Sequence, residues 1–304
     1  MKNENKKTEY FLSSLLGAHT KEKTAGISFS LATLLPTLLA VVLLVVGGAF
    51  GLFQEGYEEK EWFLYCNFLL PQIAYAIVVF LFFAVGKNSV SKTIGKASWK
   101  YFLLALILQF GLFSLGELNG WFLTFLENFG YENKPLQIPS LDGAGLYLTI
   151  FTIALLPAIF EETLFRGIIM EGVKPFGTVG AVLLCGGLFS LFHQNPAQTI
   201  YQFCCGVAYA LVALRSGSVL PTMLAHFLNN AVIILLTKFS VAISPIIIAF
   251  SGVCLLVTIT YLIFFDKKEI VKGEKARGLS FLLCASVGIL ICVISWCLNL
   301  FGGV

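Results

Sequence analysis

Charge is what this 304-residue chain has least of: Asp, Glu, Lys and Arg together make up 12% of it, and histidine occurs three times. The formal net charge of +3 gives no ground for nucleic-acid binding. None of the eight cysteines forms a CxxC, and no polar stretch carries a cysteine framework, so a disulfide-stapled fold is excluded. Cys66, Cys185, Cys204, Cys205, Cys254, Cys284, Cys292 and Cys297 all lie in or beside apolar blocks and read as small residues packed between helices. An HExxH is missing, and no Ser–His–Asp or Cys–His arrangement can be argued, which disfavours an acyl-enzyme. An internal repeat, the mark of many secondary transporters, is also missing. The first 25 or so residues are polar and lysine-bearing, and the first apolar run is too long for a signal-peptide core, so it is expected to remain as an anchor.

What the chain has instead is apolar length. Hydrophobic residues make up 58% of it and the mean hydropathy is +0.87, against roughly 45–50% apolar in a soluble domain. The excess falls in long blocks, and a hydrocarbon core of ~30 Å needs about 20 such residues per helix. The expected fold is therefore all-α, a polytopic transmembrane bundle of about nine spans. They fall near 27–53, 62–86, 101–121, 144–170, 178–194, 198–214, 218–237, 241–265 and 279–301. Basic residues are retained on the cytoplasmic side. With the N-terminus cytoplasmic, only Lys60, Lys134 and Lys238 of the 20 Lys and Arg fall on the far side. The expected division is a cytoplasmic segment 1–26, N-terminal helices and an outer loop over 27–143, a core over 144–240, and C-terminal helices over 241–304. The longest loop, 117–142, is made irregular by Pro135, Pro139 and Gly143.

Within the nearly charge-free core, four groups resist an interfacial assignment: Glu161, Glu162, His193 and His226. An ionisable group in hydrocarbon costs ~3 kcal/mol even on a lenient scale and usually marks a pathway or a reaction centre. In PAIFEETLFRG, Glu162 and Arg166 share a helix face and can pair, which leaves Glu161, about 100° away, free. His193 shares a face with Phe189, and Gly186 and Gly187 would let another helix approach. His226 and Asn230 are four apart on a further helix, whereas Asn195 and Asn229 read as structural. Taken singly, each of these is as readily a packing device as a reactive group. A carboxylate desolvated among apolar neighbours has a raised pKa and can deprotonate water, while His and Asn can stabilise an oxyanion.

EETLFR (Glu161–Arg166), FSLFH (Phe189–His193) and HFLNN (His226–Asn230) resemble the EExxxR, FxxxH and HxxxN motifs of one family. It is that of the CAAX prenyl endopeptidases and bacteriocin-processing proteins, the CPBP or Abi intramembrane proteases. The similarity covers roughly residues 145–240. It implies peptide-bond hydrolysis inside the membrane, near the cytoplasmic side, on a membrane-associated protein or peptide. By position, Glu161 with His193 would activate water, His226 with Asn230 would stabilise the oxyanion, and Glu162 with Arg166 would hold the first helix. Glu161, His193 and His226 also have the donor types of an open three-ligand zinc site, and metal-dependent and metal-free chemistry stay equally open. The expected location is a bacterial cell membrane, with the lipid bilayer as constant partner. Two other functions compete: a non-catalytic scaffold or bacteriocin immunity protein, and an ion-coupled transporter.

One count runs against the site. At 1.5 Å per residue, Glu161 lies about 24 Å along a helix entered from outside, and His193 about 22 Å along one entered from inside. Upright helices would hold them at different depths. The fifth span is then expected either to tilt or to start from a submerged segment near 171–178.

Overall fold

A computed structural model describes residues 20–134, 136–266 and 275–301. Most of the expected cytoplasmic N-terminal segment, with Lys2, Lys6 and Lys7, lies outside the described residues, as do Pro135, Lys267, Lys268 and Lys272. Among the described residues there is no strand, only helices and short connections. In hydrocarbon every backbone N–H and C=O must find a partner within the segment, and long apolar runs meet that demand as helices.

The helices are α1 Lys21–Ala49, α2 Glu61–Val85, the short α3 Val90–Ile94, α4 Trp99–Asn128, α5 over 144–173, α6 Gly177–Phe192, α7 Thr199–Ser216, α8 Leu220–Lys238, α9 Pro245–Phe265 and α10 Lys275–Phe301. Eight stretches are long and apolar enough to cross a membrane, by length and composition. The expected count of nine differs at one place. The spans expected at 144–170 and 178–194 form a single helical run, Ala144–Phe192, that doubles back on itself. Lys174–Phe176 tightens into a 3-10 turn, and Gly177 takes φ 78°, a left-handed value that glycine adopts without strain. The arms then close. The Cys185 thiol points at the Phe165 carbonyl at 3.6 Å, and the Phe165 and Phe189 rings meet edge-on at 5.0 Å.

This reversal removes the depth conflict. Glu161 and His193 stand equally far in sequence before and after Gly177, so a hairpin turning there holds them at one level. The earlier count failed because α5 runs on to Val173, about 45 Å in all, well beyond the thickness of the hydrocarbon core. Distance from the shared turn, not from opposite membrane faces, sets their relation.

Close backbone approach fixes the rest of the core. A Cβ on Gly206 of α7 would lie 2.8 Å from the Gly186 Cα of α6, so these helices cross where neither has a side chain. Gly187, expected to share that role, has nothing within 4 Å of its Cβ position. On the opposite flank α10 packs along α1, where Ser30 donates its hydroxyl to the Cys284 carbonyl at 2.8 Å and accepts the Gly288 N–H at 3.2 Å. Helices α8 and α9 both pack on α4, and α2 lies against α1 and α5. All eight cysteines are free and at least partly buried, in keeping with a packing role.

Candidate active site

The site grows out of an irregularity in α5. Two π-helical segments, Ile150–Leu155 and Thr163–Ile169, flank the α-helical turns Leu156–Glu162. Such widened turns occur frequently at functional sites. Pro157 accounts for the first: it has no N–H to give Ile153, and its ring would strike that carbonyl in a regular helix. The Ile153 carbonyl is not left bare. Asn230, from α8, donates its side-chain N–H to it at 2.9 Å.

Glu161 and Glu162 end the α-helical turns and point to different neighbours. Glu162 is fully enclosed. Its Oε1 accepts from Arg166 Nη1 and from His226 Nδ1, both at 2.9 Å. The Glu162–Arg166 pair expected from the spacing is thus present, and it is extended by a histidine from another helix. Arg166 also donates Nη2–H to the Gly206 carbonyl at 3.2 Å, and its guanidinium lies 4.4 Å from the centroid of the Phe189 ring. Helices α5, α7 and α8 are tied together there. With Nδ1–H given to a carboxylate, the reactive nitrogen of His226 is Nε2.

Glu161, also buried, faces α2. Gln72 donates Nε2–H to its Oε1 at 3.3 Å. The amide orientation follows from the carboxylate, which accepts and cannot donate. Gln72 Oε1 is then a buried acceptor with no protein donor among the described residues. On the facing arm, His193 directs Nδ1 at the Phe189 carbonyl at 2.8 Å. A carbonyl only accepts, so Nδ1 carries the proton and Nε2 is the free base. The charges of Glu161 and His226 both act on the His193 ring. Phe189 sits between the two imidazoles, its ring centroid 4.8 Å from that of His193 and 5.9 Å from that of His226.

Glu161, His193 and His226 therefore share one neighbourhood without converging on a point. Among the described residues no group of three or more His, Cys, Asp or Glu side chains is placed to hold a metal ion. One reason is visible: Glu161 turns toward α2, where Gln72 bonds its Oε1. The donor set expected for zinc does not fit a metal as arranged here.

A second polar chain, which sequence reasoning missed, runs behind Asn230. Asn229 donates to Asn230 Oδ1 at 2.9 Å and accepts from Gln109 of α4 at 2.8 Å and from the Tyr201 hydroxyl at 2.7 Å. The Tyr209 hydroxyl donates to Gln109 Oε1. Asn229 is thus structural, as expected, and so is Asn195, whose Oδ1 caps Ala197 N at 2.9 Å. The connection after His193 is irregular and is satisfied by neighbouring helices. Asn119 donates to the Ala197 carbonyl at 2.7 Å, and Asn299 donates to the Gln194 carbonyl at 2.8 Å. A signal for all these residues existed: Gln72, Gln109, Asn119 and Asn299 are amides standing in apolar runs.

A cavity of about 490 Å³ is lined by neither Glu161 nor His193. It opens at the end of the bundle where Lys21, Lys92 and Lys174 gather, and touches the site through Arg166.

Residues 143–232 match the family model described as type II CAAX prenyl endopeptidase, Rce1-like. That stretch includes Glu161, Glu162, Arg166, His193, His226 and Asn230, and overlaps most of the region where the resemblance was read. Neither the comparison with curated proteins nor that with solved structures returned a match.

Proposed function

We propose that this protein is an intramembrane endopeptidase that hydrolyses a peptide bond of a membrane-associated protein or peptide with water activated by Glu161. The observation that supports this reading is a buried carboxylate with one amide partner and an imidazole whose Nε2 has no partner among the described residues, each sixteen residues from the turn at Gly177. The family match over the same stretch supports it.

The steps follow from the donors and acceptors. The Glu161 carboxylate takes a proton from water while His193 Nε2 accepts the other O–H and orients it. The hydroxide oxygen bonds to the scissile carbonyl carbon, and the carbonyl π pair moves to oxygen. Two donors then face that oxyanion: His226 through Nε2–H when protonated, with Glu162 balancing its charge, and Asn230 through its second N–H. The first N–H of Asn230 stays on Ile153. As the tetrahedral centre collapses, the C–N bond breaks and the proton held by Glu161 passes to the departing amine. Glu162 and Arg166 touch no reacting atom in this scheme; they hold His226 and three helices in place. No step requires a metal.

Incubation of the purified chain in liposomes with membrane-spanning peptides, read by mass spectrometry, tests the proposal. New peptide termini differing from the parent by one water are expected, unchanged by a chelator. Intact peptides across a broad panel, or uptake of a solute in place of cleavage, would overturn it.

A further inference from the structure

The 490 Å³ cavity at the lysine-rich end is unlike the rest of the molecule in its chemistry. Lys21, Lys92, Lys174 and Arg166 line it, and its only carboxylate is Glu171. That carboxylate is already taken: one oxygen accepts from Lys21 at 3.2 Å and the other from Lys174. Arg166 is neutralised by Glu162. Lys92, exposed at the mouth, has no acidic partner among the described residues, so positive charge remains at the cavity.

The hydroxyls point to the same kind of guest. Ser89 Oγ accepts the Lys92 N–H at 3.4 Å, and Ser218 Oγ accepts the Leu220 N–H at 3.2 Å. A hydroxyl that accepts in this way still has its own proton to give. The walls thus offer donors from several directions, and Glu171, the one acceptor of full charge, is occupied. The Arg166 Nε–H is likewise buried without an acceptor.

The geometry is held in place beforehand. The Val219 N–H bonds the Ile94 carbonyl at 2.8 Å, and Gly95 pairs with Ser218 as an isolated antiparallel bridge. A Cβ on Gly95 would sit 2.1 Å from the Gly217 carbonyl oxygen, so that contact is possible only for glycine. Lys92 and Ser89 on one side are therefore fixed against Ser218 on the other. The remaining wall is apolar, with Phe82, Ile168, Met170 and Leu214.

We infer that this cavity is a binding site for a phosphate-type oxyanion, of which the headgroup of an anionic phospholipid and free phosphate are the two sources. Charge, surplus donors and an apolar wall together fit a phosphate carried on an amphiphile. The inference is independent of the proposed peptidase chemistry, because its test reads binding.

The detergent-solubilised full chain is titrated with short-chain phosphatidylglycerol, with short-chain phosphatidylcholine and with inorganic phosphate, with occupancy read by native mass spectrometry. Preference for the anionic over the zwitterionic lipid should be about fivefold or more, and Lys92→Gln should remove about fivefold of it, as one interfacial lysine implies. Lys96→Gln, on the same connection but outside the cavity lining, should leave the preference unchanged. Phosphate binding that depends on Lys92, without lipid preference, supports the site and assigns it a soluble anion. Equal affinity for both lipids with no phosphate binding, or a preference unaltered by Lys92→Gln, overturns it.

Discussion

Two glutamates that are neighbours in sequence live in opposite conditions. Glu162 is locked by charge: its Oε1 receives an arginine and a histidine, its Oε2 is buried without a partner among the described residues, and three helices meet on the pair it forms with Arg166. Glu161 has a single 3.3 Å bond from an amide whose own carbonyl lacks a donor. Removing one partner of a buried ion pair is expensive because the other charge is left without compensation. A carboxylate held by one long hydrogen bond has less to lose and stays free to take a proton. In the proposed mechanism the difference separates a strut from a reagent, and it arises from a rotation of about 100° between consecutive helical residues.

The sharpest test of that contrast is Glu161→Gln, which keeps shape and removes the base. Peptide cleavage should fall ~10²–10⁴-fold, the range for loss of a general base, with thermal unfolding in detergent changed by less than about 1 kcal/mol. Arg166→Met should do the reverse, costing ~3–5 kcal/mol of stability through the orphaned Glu162, readable as a lower melting midpoint and lower membrane levels. Were Glu161→Gln to unfold the protein while Arg166→Met left it intact, the assignment of roles would be inverted. Gln72→Leu is the intermediate case. It deletes the one hydrogen-bond partner that Glu161 has among the described residues without deleting the base, and kcat for peptide cleavage should drop about tenfold, the equivalent of one hydrogen bond to a charged group. A change confined to stability would make Gln72 a packing residue only.

The smallest difference to be resolved is the coupling of Pro157 and Asn230, read on stability alone. Asn230→Ala leaves the Ile153 carbonyl bare and should cost ~1–2 kcal/mol. In a Pro157→Ala background the chain regains an N–H for that carbonyl, so the same substitution should cost about 1 kcal/mol less. A double-mutant cycle on unfolding midpoints measures the coupling, and strict additivity would refute the shared bond.

Much of this was legible in the sequence, because lipid makes polarity conspicuous. Eight of the apolar blocks stand out by length, and the Glu162–Arg166 pair follows from its four-residue spacing. Other features were hidden for physical reasons. Spacing says which groups share a face but not which neighbour they meet, so neither the bond from His226 to Glu162 nor the turn of Glu161 toward Gln72, away from a three-ligand zinc arrangement, was foreseen. The hairpin at Gly177 was read as two unrelated crossings because hydropathy counts length and is blind to reversal. Gln72 and Gln109 went unnoticed because an uncharged amide hardly lowers hydropathy, yet in the fold they touch Glu161 and Asn229. Lys21, Lys92 and Lys174 line one cavity, while Lys238 pairs with Asp142.

The turn at Gly177 has a mechanical consequence. A bilayer that thickens or thins asks each crossing segment to tilt or slide on its own account. Two arms welded at a common bend cannot answer separately, so the carboxylate on one and the imidazole on the other travel together. Gln72 and His226 ride on different helices and have no such tether. Changes in membrane thickness should therefore disturb the grip on Glu161 and the oxyanion side before they disturb the pair that handles the water.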